Sequence, residues 1–202
     1  MENLTYVTGN YGKYVSVKEK FEESNIIINY FNCDLDEPDI NDISYISKEK
    51  ARKAYEKLNS PVFVADSGFY IENYPNKPGY PGAFVKRSGI SSDIDLLLET
   101  MKYVTNRNCY FLDCLTFYDG NDYCQFFGKS EGILSYEKRG INQKRAKSNL
   151  WYVFIPKNNI KTLAEMTDYE RNNRNDGSTS ATDEFINWYK NIYFKNKVFI
   201  KK

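Results

Sequence analysis

Asp66-Ser67-Gly68 sets a carboxylate, a hydroxyl and a flexible residue side by side, directly after the apolar run Pro61-Val62-Phe63-Val64. An acid at the end of a buried strand sits on a rigid mount and stays reachable, which suits a metal ligand or a catalytic acid. The same three residues also read as a β-turn with Asp first and Gly third. Near the N-terminus, Thr8-Gly9-Asn10 and Lys13 follow the apolar segment Leu4 to Val7 and open a helical pattern carrying Tyr14, Val17 and Phe21. Strand, glycine turn and helix aim free N–H groups at an anion, and Lys13 adds charge where a phosphate would sit. The spacing is not that of a P-loop, and a glycine after the first strand is common in α/β proteins. Asp34-Leu35-Asp36-Glu37-Pro38-Asp39 reads either as a solvated loop or as the source of an acid that shares a divalent ion with Asp66. Lys48, Lys50, Arg52, Lys53 and Lys57 form a basic helical face, solvated unless one of them points at a phosphate.

Composition narrows the chemistry. The 202 residues contain no histidine, which removes histidine bases, histidine-centred triads and histidine metal sites. A hard cation held by carboxylates remains open. Cys33, Cys109, Cys114 and Cys124 form no CxxC pair, so they read as reduced, packed thiols and not as a zinc site. With 28 Lys+Arg against 27 Asp+Glu, no net field draws nucleic acid or an anionic membrane. No signal peptide or long apolar span is legible, and the expectation is a cytoplasmic protein.

These residues need elements to position them. Strands are expected at Leu4 to Val7 and at Ile26 to Phe31, the latter so apolar that it reads as covered on both faces. An amphipathic helix spans Ile43 to Leu58. Pro61 to Val64 and Phe69 to Ile71 read as two apolar segments either side of the Asp-Ser-Gly turn, followed by a Pro/Gly-rich loop from Tyr74 to Gly82. A helix at Asp93 to Val104 precedes a hairpin, Cys109 to Tyr118 and Tyr123 to Phe127, with another strand at Ile133 to Tyr136. Lys138 to Ser148 reads as loop and Trp151 to Ile155 as strand. Thr162 with Glu165 has capping-box spacing for a short helix. Arg171 to Thr182 is polar and reads as mobile; Phe185, Trp188, Tyr189 and Ile192 mark a C-terminal helix. The pattern predicts one α/β domain over residues 1–202 with a mixed sheet.

In order and spacing, Thr8-Gly9-Asn10 with Lys13, Asp34-Leu35-Asp36-Glu37, Lys50-Ala51-Arg52, Ala65-Asp66-Ser67-Gly68, Pro81-Gly82-Ala83 and Thr162-Leu163-Ala164-Glu165-Met166 resemble the inosine triphosphate pyrophosphatase family. The resemblance runs from residue 4 to about residue 172. It implies an elongated mixed sheet flanked by helices, two lobes with a nucleotide cleft, and a dimer. It also implies Mg2+-dependent hydrolysis of a non-standard purine (d)NTP to the monophosphate and pyrophosphate. By match, Thr8, Asn10 and Lys13 line the triphosphate together with Ser67 and Gly68, Glu37 and Asp66 bind the metal, Lys50 meets the phosphates, and Asp66 serves the attacking water. Three departures stand out. Ala65 replaces an acid, Trp151 falls where the family's base-handling segment has an aspartate, and Asn175-Asp176-Gly177 replaces the purine-reading Ser-His-Arg. The phosphate half is kept and the base half rewritten. Two further expectations follow: a catalytically weakened nucleotide sensor acting with an effector protein, as relatives do in antiviral defence with an NAD-consuming partner, or an interaction protein without ligand.

Overall fold

In the computed structural model, which describes residues 4–143 and 146–193, β1 (Leu4–Val7) is buried along its whole length. It lies between two paired neighbours, β2 and β3. The strand order is β2-β1-β3-β5-β6-β7, with β4 on β3, in one seven-stranded sheet. β1 runs parallel to both β2 (Ile28–Phe31) and β3 (Val62–Ile71). β4 (Pro81–Gly82) is antiparallel to β3, and β7 (Phe154–Pro156) is antiparallel to β6 (Tyr123–Leu134). The fold is mixed α/β, with β5 (Asn108–Tyr118) completing the sheet.

The chain divides into two compact units. The first runs to Asp66 and takes in Asp113–Gly128 and the chain from Ser180; the second comprises Ser67–Leu112 and Lys129–Thr179. In the first unit the period-2 alternation of the strands feeds two apolar clusters. Tyr6 and Phe63 join Phe21 of α1 (Tyr11–Glu23) and Phe185 of α5 (Ala181–Trp188). The Tyr6 ring stacks on Phe63 at 4.6 Å, and Phe63 on Phe21 at 5.3 Å. Val7, Val62 and Val64 meet Ala51 and Ala54 of α2 (Ile43–Leu58). Two fully buried alanines three residues apart bring α2 close to its cluster. Asp42 caps α2 by accepting from the Ser44 and Tyr45 N–H groups, and Asn59 ends it in the left-handed region at φ 45°.

In the second unit, Phe69, Ile71 and Phe154 pack with Leu97 of α3 (Ile94–Thr100) and with Met101. Arg107 ties this unit together. Its guanidinium donates from Nε to the Leu134 carbonyl at 2.7 Å, from Nη1 to that of Met101 at 2.6 Å and from Nη2 to that of Ser135 at 2.8 Å. The Tyr136 ring covers its face.

Several expectations change. Asp66-Ser67-Gly68 is no turn: it lies inside the ten-residue strand β3, which merges the two predicted apolar segments. Gly68 is required for close approach, since a Cβ there would lie 2.7 Å from the Tyr70 ring and 3.0 Å from the Gly82 carbonyl oxygen. β2 is an edge strand that begins at Ile28, not a doubly covered one, and Ile27 is 80% exposed. The second hairpin strand continues through Gly128 and Gly132 to Leu134. Asn149–Tyr152 forms a 3-10 turn ahead of β7. The capping box belongs to α4 (Asp168–Asn172), between Thr167 and Glu170, while Thr162 and Glu165 close a turn. The segment read as mobile supplies part of α4, the buried Asp176 and the start of α5. All four cysteines are free thiols.

Candidate active site

β1 ends at Val7, and the turn after it is wired locally. The Thr8 hydroxyl accepts from the Asn10 N–H at 3.1 Å, and Asn10 Oδ1 accepts from the Lys13 N–H at 3.1 Å as the N-cap of α1. Gly9 leaves room for Asp34, whose Oδ1 would lie 3.2 Å from a Cβ there. Lys13 turns its ammonium back toward β3, with Nζ 3.5 Å from the Ala65 carbonyl oxygen. The turn and Lys13 are therefore preset beside the residue that precedes Asp66.

The acidic loop is drawn in by α2. Lys50 and Lys53 lie one turn apart on that helix. Lys53 Nζ donates to the Asp36 carbonyl at 2.8 Å, and Lys50 Nζ lies 3.1 Å from Glu37 Oε1 and 2.5 Å from Asp66 Oδ1. This is the cluster of the site: one ammonium between two carboxylates. The side chains of Lys50 and Asp66 are only 16% and 11% exposed. Burial alone would lower the Lys50 pKa; Asp66 and then Glu37 outweigh it and hold the ammonium above the ordinary lysine range. Removing one partner of such a pair costs roughly 3 kcal/mol, because a buried charge is left without its counter-ion.

Two buried oxygens here make no hydrogen bond to the described residues, Asp66 Oδ2 and the Tyr6 hydroxyl. Burial, with the Asp66 charge next, pushes the Tyr6 hydroxyl well above the usual phenol range. The Thr8 hydroxyl also influences it without reaching hydrogen-bond geometry. Tyr6 was not among the expected site residues; a tyrosine in a wholly buried strand is the signal, since its O–H must find a partner.

The donor set suits a hard cation. Among the described residues, no three His, Cys, Asp or Glu side chains converge on one point. Glu37 and Asp66 thus fit an ion that draws its remaining ligands from phosphates and water, as Mg2+ does. Of the expected residues, Glu37, Lys50 and Asp66 come together, while Thr8, Asn10 and Lys13 form the neighbouring turn. Ser67, exposed, and Gly68, buried, are the next two residues of β3.

Residues 4–188 match the family model described as the Ham1 family. The chain belongs to the Ham1 family. It is 33% identical to a dITP/XTP pyrophosphatase of Saccharolobus solfataricus over 170 residues, covering 82% of this chain and 83% of that one. It is 28% identical to a dITP/XTP pyrophosphatase of Thermococcus kodakarensis, over 93% of this chain and 97% of that relative. The fold of this Ham1-family chain matches that of a HAM1 protein from Coxiella burnetii, with TM-score 0.75, 18% identity and coverage of 94% and 99%. No helix among the described residues is long and apolar enough to cross a membrane.

In the second unit, each rewritten segment is held by neighbouring side chains and backbone. Arg171 lies over the Trp151 ring at 5.1 Å and donates to the Leu163 carbonyl at 3.0 Å. Asp176 Oδ1 accepts from the Ser178 N–H at 3.0 Å, and Arg174 Nε stands 2.8 Å from Asp176 Oδ2 outside hydrogen-bond alignment.

Proposed function

We propose that this protein hydrolyses a non-standard purine (deoxy)nucleoside triphosphate, of the dITP or XTP kind, to the monophosphate and pyrophosphate, with Mg2+ as its cation. The observation that carries this reading is the partly buried Glu37–Lys50–Asp66 cluster, two hard carboxylates around one ammonium. The names of the archaeal relatives support the substrate class.

The reaction needs a triphosphate held, a water deprotonated and negative charge absorbed. Lys13, at the preset turn, meets the triphosphate as a point charge. Glu37 and Asp66 would hold the cation, which when bound would withdraw charge from the phosphate oxygens. Asp66 Oδ2, buried and without a donor among the described residues, takes a proton from the attacking water. The water oxygen bonds to one phosphorus of the α–β bridge, the bridging oxygen leaves with the other phosphate, and the proton passes out through Asp66. Lys50 counters the charge that develops on the phosphates. No step requires a histidine.

The test is a panel of ribo- and deoxynucleoside triphosphates with Mg2+, followed for pyrophosphate release. Faster release from dITP or XTP than from dATP or dGTP is expected. Absence of release from every nucleotide overturns the reading, and a thermal shift without release would mark a binding protein.

A further inference from the structure

We propose that Lys50 is a placeholder cation, which holds the Glu37–Asp66 pair closed to metal until a triphosphate draws its ammonium away, so that metal and triphosphate load together. The inference rests on the functional reading above and adds an order to it. Lys50 Nζ lies 3.1 Å from Glu37 Oε1 and 2.5 Å from Asp66 Oδ1, oxygens that a divalent ion would need at about 2.1 Å. An ammonium and a divalent ion cannot share those oxygens without strong repulsion. With Lys50 in place, one oxygen of each carboxylate, Glu37 Oε1 and Asp66 Oδ1, already faces its ammonium, and that charge beside both acids opposes a second cation.

Metal entry therefore requires Lys50 to leave. Its side chain is mostly buried, so a displaced ammonium needs another anion nearby. A triphosphate supplies one. Each ligand then raises the affinity of the other by the same factor. The wild-type protein is thus guarded against taking up metal in the absence of nucleotide, because its own lysine already neutralises the carboxylates.

The experiment is a Mn2+ titration of phosphate-free protein, read by the loss of the free-ion electron paramagnetic resonance signal, on wild type and Lys50→Met. Methionine keeps much of the side-chain length and removes the charge. The variant should bind Mn2+ at least about tenfold more tightly than wild type. Its melting temperature should rise steeply with Mg2+ alone, while that of wild type hardly moves. Adding Asp66→Asn to Lys50→Met should abolish the gain. Equal or weaker binding by Lys50→Met overturns the inference. If Lys50→Met folds only in the presence of Mg2+, the proposal is supported; if Mg2+ does not rescue it, the proposal is overturned. Wild type that binds Mn2+ alone as tightly as it does with inorganic tripolyphosphate also overturns it. Failure of pyrophosphate release across the nucleotide panel would instead sink the functional reading and leave this titration unaffected.

Discussion

Asp66 in the first unit and Asp176 in the second are both buried, 9% and 4% exposed, each with a basic partner and an Oδ2 that makes no aligned hydrogen bond. They are held differently. Asp176 is fixed by backbone: its Oδ1 takes the Ser178 N–H two residues on, and Arg174, two residues back, supplies the charge. Burial works to raise its pKa, and Ser178 with Arg174 outweighs that, leaving it below the usual carboxylate range. Asp66 Oδ1 is held by a lysine from another element, across sixteen residues of chain. A backbone-anchored carboxylate shapes a loop. A carboxylate held by a side-chain ammonium can exchange its partner. Burial and ion pairing are therefore common to the two acids; the donor that holds each is what differs.

The contrast is tested first at its strongest point. Asp66→Asn should lower pyrophosphate release by roughly a thousandfold, about 4 kcal/mol of transition-state stabilisation, with the folded protein retained by circular dichroism. Turnover within tenfold of wild type would put Asp66 in the same class as Asp176. Asp176→Asn should do the reverse and cost about 1–3 kcal/mol in urea unfolding, with kcat per folded molecule preserved. A normal urea midpoint with lost turnover would reverse the two roles. Lys13→Ala should weaken triphosphate binding about tenfold, the worth of one charge-assisted contact, and leave nucleoside binding alone; equal losses for both ligands would remove Lys13 from the phosphate site. Asn10→Ala removes the cap of α1 and should cost about 1 kcal/mol, visible as a lowered melting temperature with only a modest change in KM.

Local chemistry was legible in the sequence where it acts over short distances. The helix Ile43–Leu58 was read to the residue, because amphipathic spacing runs unbroken through it. β1 was equally plain, while α1, expected from Lys13, begins two residues earlier at Tyr11, behind its Asn10 cap. What failed was long-range. Gly68 reads as a turn residue because turns use glycine, yet its reason is the Gly82 carbonyl, a neighbour fourteen residues away. The run Ile26-Ile27-Ile28 looked like a strand covered on both faces, but Ile27 is 80% exposed and β2 is the edge of the sheet, which only pairing reveals. At the site, the family pattern pointed to Glu37, Lys50 and Asp66; spacing alone could not have shown that one ammonium bridges the two acids. Tyr6 was missed because in a sequence a buried tyrosine looks like any other aromatic residue.

The free thiols make the protein its own reporter. Burial pushes the Cys109 thiol far above its ordinary range and that of Cys114 up to about 11, so neither offers thiolate to a maleimide. Cys33 and Cys124 are partly exposed, and both belong to the first unit. Cys33 directly precedes the acidic loop that carries Glu37. A fluorophore placed there on the unmutated chain would sense that loop change as ligands arrive. Stopped-flow mixing could then follow the order of loading in a single turnover.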